Sequence, residues 1–311
     1  MDETLTRKLP RNKNKFLAVY LSIGAVLIGL MTIFTFYDLD LSAALYGYDD
    51  GFGRFFSDAF YIIGYLPAIL VNAFLFIIIF WYFDKVWVKI LMGFIIYGHF
   101  FGAFFVGVEM FNFDKPVLFG ICGGVATVVG FLAVFGAKFI KKETLKSLIY
   151  ITILSVVFAS ICNSVSAVFQ IVWGRPRYFT LAGINLPGFD YSPSDVRDAV
   201  FSPWYSPTGG SYSFQSHSFP SLHATSSISA LYLILLAFRL NFKKITKALL
   251  SVCAMIVVIG VPLSRVVRGH HYMTDVTFSL IIGYLTVLAA VALWDCIYKA
   301  YFKKRTVSEQ V

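Results

Sequence analysis

Ser264-Arg265-Val266-Val267-Arg268-Gly269-His270-His271-Tyr272-Met273-Thr274-Asp275 stands between two long apolar runs, 245–263 and 276–298. Each run has close to the ~20 residues a helix needs to cross a bilayer, so the polar stretch reads as the junction of two membrane helices. On a helical reading His271 and Asp275 lie at i and i+4, share one face and hydrogen-bond. A carboxylate on one imidazole nitrogen fixes the tautomer and leaves the other nitrogen free to attack. Arg265 and Arg268 add the positive charge that a phosphate group requires. The same residues also suit a solvated, paired helix end, and the rest of the chain decides between the two readings.

Composition sets the class. The chain has 311 residues, of which 58% are hydrophobic, 18% aromatic and only 14% charged, and its mean hydropathy is +0.75. So little charge excludes a soluble domain of this size. Apolar runs fall at 16–36, 60–83, 90–111, 117–139, 147–169, 220–238, 245–263 and 276–298. They lack the alternation of a membrane barrel, and they predict an all-α, polytopic membrane helix bundle of about eight transmembrane helices. One membrane domain over 1–311 is expected, with a cytoplasmic N-terminal segment at 1–15. The first run follows Arg7, Lys8, Arg11, Lys13 and Lys15, with no small-residue cleavage site after it, and reads as a retained helix.

The net charge of +9 would suit a nucleic-acid partner until the charges are placed. With a cytoplasmic N-terminus and alternating spans, only Arg54, Lys115, Arg175, Arg177, Arg197, Arg265 and Arg268 fall outside the cell. Every other Lys and Arg, including Lys141, Lys142, Lys243, Lys244 and the tail Lys303-Lys304-Arg305, falls inside. This is the positive-inside pattern. It predicts a multi-pass protein of the cell membrane, both termini cytoplasmic, with anionic lipid headgroups as cytoplasmic-side partners and no nucleic acid. Cys122, Cys162, Cys253 and Cys296 lie within spans and read as small packing residues with no disulfide framework.

The same topology gathers three polar clusters on the outer side. Gln170-Ile-Val-Trp-Gly-Arg175-Pro-Arg177-Tyr178 ends the fifth span, and Ser216-His217-Ser218-Phe-Pro220-Ser221-Leu222-His223-Ala224 opens the sixth. The third cluster is the stretch 264–275. Four of the five histidines belong to these clusters. Pro220 suits a first helical turn, which leaves Ser221 and the following N–H groups as an anion site. His223, one turn in, is placed to donate a proton to a departing oxygen. Gln170 and Arg177 are two turns apart on one face, and Arg177 is suited to fork onto two phosphate oxygens.

These stretches resemble the three signature motifs of the type 2 phosphatidic acid phosphatase superfamily, which includes membrane lipid phosphate phosphatases and relatives of the vanadium haloperoxidases. The family pattern is Lys-x6-Arg-Pro, Pro-Ser-Gly-His and Ser-Arg-x5-His-x3-Asp. The third motif matches at Ser264, Arg265, His271 and Asp275. The resemblance implies His271 as the nucleophile that becomes phosphohistidine, Asp275 as its orienting partner and His223 as the general acid. It implies Arg177, Ser221 and Arg265 as phosphate ligands, with no metal and no cofactor. Three positions depart from the pattern: Gln170 replaces lysine, Tyr178 replaces proline and Leu222 replaces glycine. Gln170 and Arg175 are then candidate phosphate ligands as well, Arg175 or Arg268 restoring the charge that the lysine would carry.

A catalytic core at 147–298 is expected, with 90–139 as an added helical hairpin and 179–219 as an extracytoplasmic loop. His99 and Glu109, in the hairpin, read as packing or interface residues. The loop is rich in Pro, Gly, Ser and aromatics, Pro203-Trp204-Tyr205 among them, and reads as a lid at the headgroup level. The expected partner is a phosphorylated lipid in the bilayer: undecaprenyl pyrophosphate, phosphatidate, phosphatidylglycerophosphate or a lipid A phosphate. The leading reading is a metal-independent phosphoric monoester or diphosphate hydrolase. A lipid phosphotransferase with the same intermediate, and a weakened relative that binds or moves phospholipid, are the alternatives. Activity is expected to fall below about pH 5 as His271 protonates.

Overall fold

Seven of the eight apolar runs fold as single helices, the sixth folds as two short helices joined by a 3-10 turn, and no strand occurs among the described residues. The computed structural model describes residues 13–109, 115–183, 200–208, 216–240 and 242–297. The charged start of the chain, the turn at 110–114, Arg197, most of the 179–219 loop and the basic tail lie outside them, as do the side chains of Glu109 and Lys115. The helices are α1 (Lys13–Leu45), α2 (Gly51–Tyr82), α3 (Val86–Glu109), α4 (Lys115–Ala137), α5 (Lys142–Trp173) and α6 (Tyr178–Leu181). They continue as α7 (Leu222–Ser227), a 3-10 turn (Ile228–Ala230), α8 (Leu231–Arg239), α9 (Lys244–Val267) and α10 (Met273–Ile297). Seven helices are long and apolar enough to cross a membrane, as in a multi-pass membrane protein. Exposed Val26, Ile28, Phe94, Phe131, Ile245 and Ile259 form the apolar exterior that a bilayer covers.

The sixth expected span departs from a plain membrane helix. Its first turns are polar, because Thr225 and Ser227 donate to the carbonyls of Ser221 (3.0 Å) and Ala224 (2.7 Å). Such side-chain bonds compete with the backbone ladder, and the helix tightens to 3-10 at Ile228 before becoming apolar. Hydrogen bonds dock these turns on α5: Thr225 with Ser166 at 2.8 Å, and Ser226 with Asn163 at 3.0 Å.

α2 is the central helix, packed against α3, α5, α7 and α9, while α1 lies along α10. The α3–α4 hairpin builds an apolar core with α2 from Ala73, Ile77, Val88, Met92, Ile96, Phe100 and Ala126. His99 sits edge-on to Phe76 at 5.6 Å within it. Two helices run past their apolar stretches. α1 continues through a break at Tyr37 (φ −119°, ψ 16°) to Leu45, and α2 begins at an Asp50 cap that accepts the Gly53 N–H. The α1–α2 link is tied to the end of α9, Gly47 N–H donating to the Val267 carbonyl at 3.1 Å.

At the opposite end Lys142 bonds Asp84 at 2.9 Å, which holds that exposed carboxyl below its usual range. Cys122 and Cys162 are buried as expected, but Cys253 and Cys296 lie on exposed helix faces and so do not pack within the bundle.

Candidate active site

The stretch that was read as helical is two helix ends with a sharp link between them. α9 closes in a Schellman motif: Gly269 N–H donates to the Val266 carbonyl (2.8 Å) and His270 N–H to the Arg265 carbonyl (3.0 Å). Gly269 has φ +77°, a conformation that side chains rarely adopt, and a Cβ there would meet the Tyr46 ring at 3.2 Å. α10 begins at Met273, and Asp275 in its first turn accepts the Tyr272 N–H at 2.8 Å, one half of a capping box. His271 therefore stands in the link, not one turn before Asp275 on a helix.

The link changes the expected hydrogen bond. His271 Nδ1 is 2.6 Å from the Ser218 carbonyl oxygen and 3.8 Å from the Asp275 carboxylate. A carbonyl only accepts, so Nδ1 carries the proton and Nε2 keeps its lone pair. Asp275 acts on this pair indirectly, because the Ser218 hydroxyl donates to its carboxylate. Burial is the main cause that pushes the His271 imidazole down to about 4; Asp275 opposes the shift and Arg177 adds to it. Burial, then the charges of Arg177, Arg268 and Arg265, push His270 well below its ordinary value.

Arg175 is released from α5 by Gly174, which ends that helix at φ +64°. It was expected at the phosphate, but its donors are committed elsewhere. Nε donates to the Ser202 carbonyl (2.8 Å), Nη1 to Thr274 Oγ1 (2.8 Å) and to Asp275, and Nη2 to Asp38 (2.7 Å). Its guanidinium lies 4.1 Å from the Tyr272 ring centroid and is fully buried. An arginine with two carboxylates holds protein together and has little left for a ligand.

The described part of the connecting loop supports this arrangement. Trp204 donates to Thr35 Oγ1 at 2.8 Å, and Thr208 N–H to the Trp173 carbonyl at 2.9 Å. Residues 200–208 are thus a packed prop against α1 and α5, while 184–199 and 209–215, which the lid reading also includes, lie outside the described residues.

The second motif is held from below. Gln170 donates to the Pro220 carbonyl at 2.6 Å, so the residue in the lysine position braces the motif loop. Ser221 is buried; its oxygen caps α7 by accepting the Ala224 N–H at 3.3 Å, and its own N–H donates to Ser279 at 2.8 Å. The hydroxyl proton stays available. Leu222 begins α7. Tyr178, in the proline position, packs against Tyr46 and Tyr272.

His223 lies between two α2 side chains, Tyr61 (4.8 Å) and Tyr65 (4.4 Å). Tyr61 is a hub: the guanidinium carbons of Arg265 and Arg268 stand 5.0 and 5.7 Å from its ring centroid. Arg265 is anchored through Nη2 to the Ser57 carbonyl at 2.5 Å, and Arg268 through Nη1 to Asp58 at 2.6 Å. His223 Nε2, Arg265 Nη1 and Arg268 Nε are buried, and none of the three has a hydrogen-bond partner. Leaving one such group unsatisfied costs about 1–3 kcal/mol. Three together, two of them cationic, have the donors and the charge to suit an anion with several oxygens. Arg177 approaches from the α5 side, donating to the His217 carbonyl at 3.2 Å.

Asp38, Ser57, Asp58, Tyr61, Tyr65 and Ser218 were not among the expected residues. Asp38 and the α2 residues belong to the first two helices, and the signal available for them was a carboxylate beside or within an apolar run. Among the described residues no group of three or more His, Cys, Asp or Glu side chains is placed to hold a metal ion.

Comparison with models of known families matches residues 144–298 to the PAP2 superfamily. Neither curated proteins nor solved structures gave a match.

Proposed function

Since the chain belongs to the PAP2 superfamily, we propose that it is a membrane phosphatase that hydrolyses a lipid phosphate or diphosphate through a phosphohistidine at His271. Members of the superfamily are generally phosphatases acting on phosphorylated substrates. The observation that carries the reading to this chain is the trio of buried, unpartnered nitrogens around Tyr61, beside a histidine whose tautomer is fixed.

The phosphate sits between Arg265, Arg268, Arg177 and the Ser221 hydroxyl, where fixed positive charge stabilises the trigonal-bipyramidal transition state. His271 Nε2 attacks phosphorus, the bond to the leaving oxygen breaks, and His223 gives that oxygen its proton. The incoming dianion is the counter-charge that a protonated His223 requires. Water then attacks the phosphohistidine, losing its proton to His223, and orthophosphate leaves. Asp275 holds Ser218 and Arg175 and so keeps His271 in register. No metal enters any of these steps.

Seven helices long and apolar enough to cross a membrane support a substrate that is an amphiphile with its tail in the bilayer. The lysine-rich opposite end supports a cytoplasmic assignment for that end, and hence an extracytoplasmic site in the cell membrane. The test is phosphate release by purified protein, with a chelator present, from polyprenyl diphosphate, phosphatidate, phosphatidylglycerophosphate and lipid A phosphate. Release from at least one that His271→Ala abolishes is expected. Release no faster than that variant from every substrate sinks the enzyme reading.

A further inference from the structure

We propose that Asp38, in the first membrane helix, is a positioning residue for the nucleophile, acting through Thr274 and Arg175. The inference rests on the phosphatase reading. It concerns a helix outside the segment 144–298 that carries the family match.

The geometry is specific. α1 breaks at Tyr37, and Asp38 follows directly. Its carboxylate is 3% exposed, a rare state for an acid in a membrane helix. Oδ1 accepts the Thr274 N–H at 3.0 Å; Oδ2 accepts the Thr274 hydroxyl and Arg175 Nη2 (2.7 Å). Thr274 is the second residue of α10, so its N–H is one of the free donors at a helix start. Asp38 caps the helix from another chain segment, while Asp275 caps the preceding N–H at Tyr272.

Two carboxylates therefore fix the first turn of α10 immediately after His271, with Arg175 between them. Asp38 itself bonds only Thr274 and Arg175, and the network meets the phosphate cradle only through the backbone, where the Asp275 carbonyl accepts the Ser221 N–H at 3.4 Å. Arg265, Arg268 and His223 gather on α2 instead, around Tyr61. Asp38 thus bears on where His271 and Asp275 stand and leaves phosphate affinity alone. The aromatic face of Tyr272 and the Ser202 carbonyl complete the burial of Arg175.

The experiment compares wild type, Asp38→Asn, Thr274→Val and His271→Ala as purified full-length protein, measuring kcat and KM for the best substrate and the Kd for orthophosphate. Asp38→Asn keeps an oxygen for the Thr274 N–H but removes the charge facing Arg175. The expected result is a kcat fall of tenfold or more, with KM and orthophosphate Kd within threefold of wild type. Thr274→Val keeps both charges and loses the two hydrogen bonds of the hydroxyl, to Asp38 and from Arg175; kcat should fall about threefold, again at constant KM. It carries the test if Asp38→Asn does not fold. Wild-type kcat in either folded variant, or a loss confined to KM, overturns the inference. A wild-type protein no more active than His271→Ala overturns the phosphatase reading first, and a distinct result marks each failure.

Discussion

The Nδ1 nitrogen of His271 meets the carbonyl oxygen of Ser218 at 2.6 Å, while the Asp275 carboxylate stands 3.8 Å away. A backbone carbonyl sets the tautomer, and the carboxylate holds the serine that presents it. Ser218→Ala keeps the carbonyl but frees its segment from Asp275. A kcat loss of about tenfold is expected, against about 10⁴-fold for His271→Ala, which removes the attacking atom. Equal losses in the two variants would contradict the division of labour, and steady-state phosphate release measures both.

Asp275→Asn leaves Arg175 buried with one carboxylate in place of two. Breaking a buried pair of this kind costs about 3–5 kcal/mol, so thermal unfolding in detergent should shift down together with activity. Replacing Arg175 by lysine is expected to lower stability similarly, because one ammonium does not reach Ser202, Thr274, Asp275 and Asp38 at once. A stable Arg175→Lys protein whose loss of activity lies in a raised KM would instead assign Arg175 to substrate.

The pH profile follows from the sign of one shift. His271 attacks only as neutral imidazole, and its site holds it down to about 4. It is therefore reactive across the neutral range, and kcat/KM, which reports the free enzyme, falls as the pH drops through about 4. This places the acid limb lower than an unperturbed histidine would. A kcat/KM that climbs as the pH falls below that value would argue against His271 as nucleophile.

Arg265→Lys loses the fork that spans Ser57 and the unpartnered Nη1. A charged hydrogen bond contributes about 1.5–3 kcal/mol, which corresponds to about ten- to a hundredfold in kcat/KM. Gly269→Ala tests the link by itself. A left-handed residue with a side chain costs about 1–2 kcal/mol, and the Tyr46 ring must also give way. A lower unfolding temperature is the expected result, and an unchanged one would show the link to be more pliant than its hydrogen bonds imply.

Much of this was legible from residues 264–275 and the apolar runs beside them. The run lengths predicted an all-α membrane bundle, and motif spacing singled out His271, Asp275, Arg265, Arg177 and His223. Asp38 and Asp58 were not legible, because a carboxylate at the edge of an apolar run looks like the end of a span. In the structure α1 and α2 continue past their hydropathy limits, and those extra turns reach the site. Ser218 was hidden for another reason: its contribution is a backbone carbonyl, which carries no residue signature. The helical i, i+4 reading of His271 and Asp275 failed because Gly269 ends one helix and Met273 starts the next, so the spacing spans a turn. Arg175 has the charge for a phosphate ligand, and its partners Ser202, Thr274, Asp275 and Asp38, all distant in sequence, show what occupies it.

The most direct measurement is to trap the intermediate. Purified protein is mixed with a substrate carrying radiolabelled phosphate, quenched in alkali within one turnover, and the label is mapped by peptide. Alkali-stable, acid-labile label is expected on His271, absent from His271→Ala and enriched in Ser218→Ala if that variant slows the water step. Phosphate release with no label on the chain at any quench time, or label on His223 instead, would contradict this expectation.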